Sequence, residues 1–275
     1  MILFTILLCV AVLPASLATS SKNYTTPQIV EFDLVFPKND TFAPNQELPL
    51  LWGLQNAGFA WDMEMEFSWQ LERLDHHLTQ IEQGTFPRQN YSGGIRNYTS
   101  LGTTPADPLF LYYFPEALHN ATAGQWKLSW KFGFYLTCST TNISELIYNY
   151  FDHMQPTELI FSVAEGGKLL DLNSLNSSCP DSDFSTVYKV VDYKTVKYYC
   201  PILSETPPEA SPCTLKFNES LVDEMNAGAA TNCSSQDWNI FSNTCQTGGG
   251  PGIYQNGLGV LIFAILGVYL FAIVL

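Results

Sequence analysis

Apolar and polar residues alternate along several stretches of the chain between Ile29 and Val163. The longest stretch has apolar side chains at Trp126, Leu128, Trp130, Phe132, Phe134 and Leu136. Two others have them at Met63, Met65, Phe67, Trp69 and Leu71, and at Val30, Phe32, Leu34 and Phe36. Because successive side chains of a strand point to opposite faces, this period of two predicts half-buried β-strands.

Shorter apolar runs at residues 48–54, 109–114 and 157–163 predict further strands, with turn-rich segments between them. Strands and helices do not alternate along the chain, so a parallel sheet is not indicated. Antiparallel strands with one apolar face need a second layer to cover that face. The expected fold is therefore mainly β, an antiparallel β-sandwich whose core spans residues 19–165.

The character of the chain changes after Val163. A loop rich in Ser and Asn leads to a segment rich in Val and Tyr at 186–199, which predicts a hairpin or a long strand. Prolines favour an extended connector at 204–212, and Ser220 begins a short helix with one apolar face. Residues 166–247 hold most of the cysteines, and we expect this Cys-rich part to pack on the same domain.

The first residues have the pattern of a secretory signal. An apolar run at 2–13 leads into Ser16-Leu17-Ala18, whose small residues suit cleavage by signal peptidase. No Lys or Arg precedes the run, so the amino terminus alone supplies positive charge. We expect residues 1–18 to be a cleaved signal peptide.

The last residues, 258–275, are apolar and uncharged, and as a helix they would reach about 27 Å. No basic residue follows Lys216, whereas a stable single-pass span normally keeps Lys or Arg on its cytoplasmic side. A weakly polar spacer after three glycines instead favours a glycosylphosphatidylinositol (GPI) signal in residues 248–275, with lipid attachment at Gly248. Attachment at Asn243 and an ordinary transmembrane helix are the alternatives.

Six of the seven cysteines lie outside the expected signal peptide, which predicts three disulfides formed in an oxidising compartment. They are Cys138, Cys179, Cys200, Cys213, Cys233 and Cys245. We expect Cys138 to pair with Cys179 and the other four among themselves. A zinc site is the competing interpretation, but the spacings contain no Cys-x-x-Cys pair.

Asn-x-Ser/Thr sequons are more frequent than the Ser and Thr content would give by chance, which indicates an N-glycosylated surface. They begin at Asn23, Asn39, Asn90, Asn97, Asn120, Asn142, Asn176, Asn218 and Asn232. The 12 basic and 26 acidic residues give a net charge of −14. That charge argues against nucleic-acid binding and supplies no basic patch for anionic lipid.

Motifs of hydrolases, zinc proteases and nucleotide-binding proteins are missing from the sequence, so no cofactor or catalytic residue is indicated. Two carboxylate pairs, Glu64 with Glu66 and Glu31 with Asp33, have the alternation that glycoside hydrolysis could use. Both pairs alternate with apolar residues, so we expect them on solvated sheet faces.

Histidines and aromatic residues are the other candidates for chemistry. The histidines are His76, His77, His119 and His153, and we expect them on the surface. The aromatic stripe could stack on sugar rings, but strict alternation favours burial of Trp52, Trp69, Trp126, Trp130, Phe132 and Phe134. Trp61 and Trp238 lie outside strong alternation and are better candidates for exposed contacts.

Several segments resemble a family of fungal secreted proteins known only as a domain of unknown function. They are LVFPKNDTFAP at 34–44, LLWGLQN at 50–56, WKLSW at 126–130, Cys200, ETPPEASPC at 205–213 and the small-residue helix ending at Cys233. The chain departs from the family pattern at Met63 to Gln70. The resemblance covers almost all of the mature chain and implies a signal peptide and a hydrophobic C-terminal tail, but no catalytic residues.

These observations predict a non-enzymatic glycoprotein of the cell surface or cell wall, structural or adhesive, and anchored in the outer leaflet of the plasma membrane through GPI. Its expected partners are the membrane, cell-wall polysaccharide and surface proteins. The alternative is a β-sandwich that binds carbohydrate or modifies polysaccharide.

Overall fold

The computed structural model describes residues 22–75, 81–86, 91–92, 95–96, 105–119, 121–139, 146–148, 154–177, 179–195, 199–217, 219–230 and 239–240. Several predictions therefore lie outside the described residues, namely the signal peptide, the tail with Gly248 and Asn243, Cys233, Cys245, Trp238, His76, His77, His153, and the sequons at Asn90, Asn97, Asn120, Asn142, Asn218 and Asn232.

Strands make up most of the regular structure. In chain order they are β1 (Gln28–Phe36), β2 (Thr41–Phe42), β3 (Leu50–Gln55), β4 (Met65–Arg73), β5 (Ile81–Phe86), β6 (Tyr91–Ser92), β7 (Ile95–Arg96), β8 (Leu109–Tyr113), β9 (Gly124–Phe134), β10 (Leu136–Cys138), β11 (Leu146–Tyr148), β12 (Thr157–Val163), β13 (Ser185–Thr195), β14 (Tyr199–Leu203) and β15 (Asn239–Ile240). The α-helices are α1 (Ala57–Asp62) and α2 (Glu219–Ala230), and short 3₁₀ turns cover Glu116–Leu118, Leu172–Ser177, Ser182–Phe184 and Pro212–Thr214.

The larger strands form two sheets. The first sheet has the order β14-β13-β1-β3-β8-β15, and the second has the order β2-β12-β9-β4-β5. All pairings are antiparallel except the short parallel pairing of β2 with β12. Two small ribbons, β10-β11 and β6-β7, complete the described sheets. The predicted mainly-β antiparallel sandwich is confirmed.

Aromatic rings from the two sheets meet in the middle of the sandwich. Phe32 of β1 stacks on Phe132 of β9 with ring centroids 4.3 Å apart, and its centroid lies 4.8 Å from that of Phe67. The ring of Trp52 of β3 packs against that of Phe67, with ring centroids 4.7 Å apart. All four side chains are fully buried. The alternation that predicted half-buried strands therefore selects the residues that join the two sheets.

The C-terminal part covers the outer face of the first sheet. Leu215 lies so close to β3 that a Cβ on Gly53 would stand 2.5 Å from its Cδ1 atom, so only glycine fits there without movement. Phe217 packs on Phe110 of β8 with ring centroids 4.7 Å apart. Leu221 and Met225 of α2 are buried in the same apolar cluster as the sandwich core. Strands β3 and β8 and most of β1 are consequently buried on both faces.

Most predicted elements occur near their expected positions, with some differences at the ends. The segment at 186–199 is the hairpin alternative, because β13 pairs with β14. The short helix after Ser220 is α2. The one-turn helix α1 was not predicted, and it is held by tertiary packing of Phe59 and Ala60 rather than by a long apolar pattern. None of the helices in the described ranges has the length and apolar character that a bilayer crossing requires.

One disulfide links the C-terminal part to the rest of the fold, and a second disulfide lies within the C-terminal part. Cys138 bonds Cys200, and Cys179 bonds Cys213. The expected pairing of Cys138 with Cys179 is therefore wrong. The physical reason is that β10 packs beside β14, where Leu136, Cys138, Cys200 and Ile202 form a small buried cluster. These disulfides indicate an extracellular, oxidising environment.

Truncation of Phe132, whose ring lies in the middle of the sandwich, should strongly reduce the stability of the fold. We expect Phe132→Ala to lower the free energy of unfolding by about 3–5 kcal/mol, because it removes the ring that stacks on Phe32 and leaves a cavity. Urea denaturation of the purified protein measures this change. Leu169→Ala is the matched control, because Leu169 is 78% exposed and its loss should cost less than about 0.5 kcal/mol. Equal losses in the two variants would contradict the assigned core.

Candidate functional site

The aromatic stripe lies in the core and offers no surface to a ligand. Trp126 and Trp130 are 1% exposed, and Phe132 and Phe134 are 0% exposed. Burial of this stripe was the favoured prediction and is confirmed. Trp61, expected as an exposed contact, is half-buried and packs against the core, with its ring 6.1 Å from that of Phe86. A stacking platform for sugars is therefore absent from these described residues.

The Glu64 and Glu66 pair does not exist as a solvated pair on one strand. Glu64 precedes β4 in a turn with φ of 55°, and its carbonyl oxygen accepts a hydrogen bond from the Tyr135 amide at 3.1 Å. Glu66 points away from the core, yet only 7% of its surface is exposed. Strand β4 begins at Met65, two residues later than the expected start at Met63. Glu64 and Glu66 therefore do not lie together on one strand face, and this pair is not a catalytic candidate.

The single described histidine, His119, is exposed and forms an ion pair with Glu47, as expected for a surface imidazole. Among the sequon asparagines, Asn23 and Asn39 are exposed, and the backbone of Asn176 lies in the 3₁₀ turn Leu172–Ser177. The described residues contain no group of three or more His, Cys, Asp or Glu side chains arranged to hold a metal ion.

Glu31 and Asp33 are buried, which corrects the expectation of a solvated sheet face. Glu31 is 4% exposed and Asp33 is 0% exposed. Both side chains do project from the outer face of β1, as the alternation indicates. That face is covered by the segment around Ser211, which lies about 180 positions further along the chain. No local pattern in the sequence could show this cover.

Each carboxyl group has specific hydrogen-bond partners. The Ser211 amide donates to Glu31 Oε1 at 2.6 Å. The Ser185 hydroxyl donates to Asp33 Oδ1 at 2.5 Å, and the Gln55 amide donates to Asp33 Oδ2 at 3.1 Å. The two carboxyl groups also hydrogen-bond each other. This set, here called the carboxyl clasp, holds the C-terminal segment against β1, β3 and β13.

Burial changes the ionisation of the carboxyl clasp. Desolvation, reinforced by the neighbouring Asp33 charge, raises the pKa of Glu31 to about 7. Desolvation also raises the pKa of Asp33, although the hydrogen bonds from Ser185 and Gln55 oppose it. Because neither carboxyl reaches solvent, the clasp fastens the fold and gives no substrate access to a pair of acids.

The second sheet differs, because its outer face carries an open groove of about 520 Å³. Two rows of polar side chains cross the strands there. One row has Thr85, Ser68 and Lys131, and the next has Gln83, Gln70, Ser129 and Glu158. Pro156 and Lys127 complete the rim. We call this set the polar groove.

Most side chains in the polar groove keep unused hydrogen-bonding capacity. Ser68, Gln70, Gln83 and Lys131 make no side-chain hydrogen bond or ion pair with any described residue. Ser129 donates to Glu158 Oε1 only at 3.4 Å. At the edge of the groove, the positive charge of Lys127 is balanced by Glu72, whose carboxylate lies 3.1 Å from the ammonium. This contact raises the pKa of Lys127. The groove is thus a rigid surface of available donors and acceptors.

One feature of the sequence did point to the polar groove. Ser68, Gln70 and Ser129 occupy the polar positions of the alternation that predicted β4 and β9, so they were expected to face away from the core. Their meeting in one groove depends on the pairing of Gln70 with Ser129 across two strands 59 positions apart. The pairing is a tertiary property that alternation does not encode.

The fold and groove define an antiparallel β-sandwich with one polar sheet face open to solvent. The family described as a domain of unknown function (DUF7136) matches residues 25–245. The chain belongs to this family, and the resemblance noted in the sequence is confirmed. Comparison with curated proteins gives no match. Comparison with solved structures gives none either.

The carboxyl clasp should make stability depend on pH. Glu31 keeps its proton in the folded protein up to about pH 7 but loses it in the unfolded chain near pH 4.5. The free energy of unfolding should therefore be highest below pH 4.5 and fall as the pH rises to 7, by on the order of 3 kcal/mol from this group. Glu31→Gln, which keeps an acceptor for the Ser211 amide, should flatten the profile.

Urea denaturation between pH 4 and pH 8 measures both profiles. Glu209→Gln is the matched control, because Glu209 is an exposed carboxylate of the same connector and its removal should leave the profile unchanged. If the wild-type and Glu31→Gln profiles run parallel over this range, the buried pair does not control the pH response.

Proposed function

We propose that this protein is a non-enzymatic, N-glycosylated adhesive protein of a fungal cell surface, which binds cell-wall polysaccharide through the polar groove. In this proposal residues 1–18 direct secretion and are removed. A GPI anchor at Gly248 then holds the domain at the outer leaflet, from which the groove can reach the wall. The proposed partners are the membrane, wall polysaccharide and neighbouring surface proteins.

Two features support an extracellular, glycosylated protein. The disulfides Cys138–Cys200 and Cys179–Cys213 require an oxidising compartment to form and persist. Asn23 and Asn39 are exposed, so a glycan on either would extend into solvent without disturbing the core. None of the described residues that line the polar groove is a sequon asparagine.

The observation that carries the binding proposal is a set of four side chains in the polar groove, Ser68, Gln70, Gln83 and Lys131, that make no hydrogen bond or ion pair with a described residue. Hydroxyl, amide and ammonium groups on neighbouring strands stand ready to hydrogen-bond a ligand that is itself covered with hydroxyl groups. Strands hold these groups in place, so little ordering is needed on binding. A protein partner would be expected to need apolar anchors, and the exposed rows of the groove contain none.

The number of carboxyl groups in the polar groove favours a binding function over glycoside hydrolysis. Glycoside hydrolysis uses two carboxyl groups flanking the scissile bond. Glu158 is the one carboxylate among the described residues lining the groove. The buried pair Glu31 and Asp33 belongs to the other sheet and is closed to solvent. These facts support adhesion as the proposed activity and make polysaccharide cleavage the weaker candidate.

Removal of two adjacent groove side chains should reduce binding. We expect Gln70→Ala combined with Ser129→Ala to weaken retention on insoluble cell-wall polysaccharide by about tenfold or more, because cross-strand partners are lost from the middle of the groove. Pull-down of the purified protein on chitin and β-glucan, with quantification of the unbound fraction, measures this change.

Gln125→Ala combined with Ser162→Ala is the matched control. These residues also form a cross-strand pair on the outer face of β9 and β12, but neither lines the groove. The control variant should bind like the wild type. Absence of wild-type binding to every wall polysaccharide, or equal losses in both variants, would refute the proposed adhesive groove.

The proposed anchor makes a separate prediction. Treatment of intact cells with phosphatidylinositol-specific phospholipase should release the protein into the medium, because only a lipid would hold the mature chain in the outer leaflet. Immunoblotting of the medium and the membrane fraction measures release. Retention of all the protein in the membrane, with residues 258–275 still attached, would establish the transmembrane alternative.

A further inference from the structure

The polar groove has a direction, which the strand register defines. Thr85 pairs with Ser68, and Ser68 pairs with Lys131. In the next row Gln83 pairs with Gln70, Gln70 with Ser129, and Ser129 with Glu158. Both rows run across the strands, the first over β5, β4 and β9 and the second over β5, β4, β9 and β12, so polar groups recur from strand to strand.

The repeat distance of these rows is set by the backbone. Neighbouring strands lie about 4.8 Å apart, so four strands span about 14 Å from the first to the last. A pyranose ring in an extended polysaccharide advances the chain by a similar distance. A polysaccharide lying along the rows would therefore place one sugar over each strand, and each sugar would meet polar side chains of that strand.

The chemistry of the rows suits uncharged sugars. Serine and threonine hydroxyls and glutamine amides can both donate and accept hydrogen bonds, as sugar hydroxyls require. Lys131 can donate to hydroxyl oxygens, while Glu158 at the far end accepts from them. Donors and acceptors thus occur along the whole length of the groove.

Charge disfavours an acidic polymer in the same position. Lys127 is already paired with Glu72 and lies 3.9 Å from Glu158, whose side chain is 52% exposed and would still face the polymer. The whole chain carries a net charge of −14, which repels polyanions at distances up to the Debye length of about 8–10 Å. Lys131 alone would have to offset these effects.

We propose that the polar groove binds an extended, unbranched and uncharged polysaccharide chain lying across β5, β4, β9 and β12, with about four sugar units in contact. This inference rests on the proposed function and specifies its ligand. Recognition is along the chain rather than at its end, because the row of Gln83, Gln70, Ser129 and Glu158 crosses four strands.

Calorimetric titration of the native glycosylated protein in detergent tests the inference. The probes are neutral β-linked glucose and N-acetylglucosamine oligomers of two to six units, together with oligogalacturonides of the same lengths. Affinity for at least one neutral series should rise by about tenfold or more from two to four units and then level off. Oligogalacturonides should bind more weakly at every length.

Two variants sharpen this titration. Glu158→Gln should improve binding of oligogalacturonides while leaving neutral oligomers within about twofold, because only the acidic probe is repelled by the carboxylate. Gln125→Ala with Ser162→Ala, outside the groove, should not change either series. Circular dichroism of each variant establishes that the sandwich is folded.

The possible outcomes distinguish a failure of the proposed ligand from a failure of the proposed function. If no oligomer of any length or charge binds, the proposed function fails and this inference fails with it. If sugars bind but two units bind as tightly as four, or if acidic oligomers bind as tightly as neutral ones, the adhesive function stands and the extended neutral ligand is overturned. A length-dependent preference for neutral oligomers supports both.

Discussion

Stacking of Phe32 on Phe132 joins the two sheets, and the remaining features of the molecule follow from that contact. The aromatic core fixes the inner face of each sheet, so the outer faces are free to differ. The inner strands of the first sheet are covered by Leu215, Phe217 and α2 and are buried on both sides. The second sheet keeps a polar outer face. In our proposal, this asymmetry leaves one sheet for stability and the other for binding.

Covering the first sheet has an electrostatic consequence. Glu31 and Asp33 are desolvated beneath a segment held by the Cys179–Cys213 disulfide and by the Ser211 amide. Burial of two neighbouring carboxyl groups is tolerated because at least one keeps its proton and each accepts hydrogen bonds.

Alternation in the sequence predicted which residues of β1, β4 and β9 face the core, because the period of a strand is a local property. It could not predict what lies over the opposite face. Glu31 and Gln70 occupy equivalent polar positions, yet Glu31 is buried and Gln70 lines an open groove. The difference comes from residues far along the chain. The same applies to Cys138, whose partner Cys200 is chosen by the packing of β10 beside β14.

The central claim is that the two outer sheet faces have different roles, with ligand binding on the second sheet. Nuclear magnetic resonance mapping of the isotope-labelled domain during titration with neutral wall oligosaccharides tests it most directly. The account predicts amide shifts concentrated in β5, β4 and β9, around Ser68, Gln70 and Ser129, with β1 and β3 unaffected. Shifts centred on the first sheet or on α2, with β4 and β9 unchanged, would contradict it.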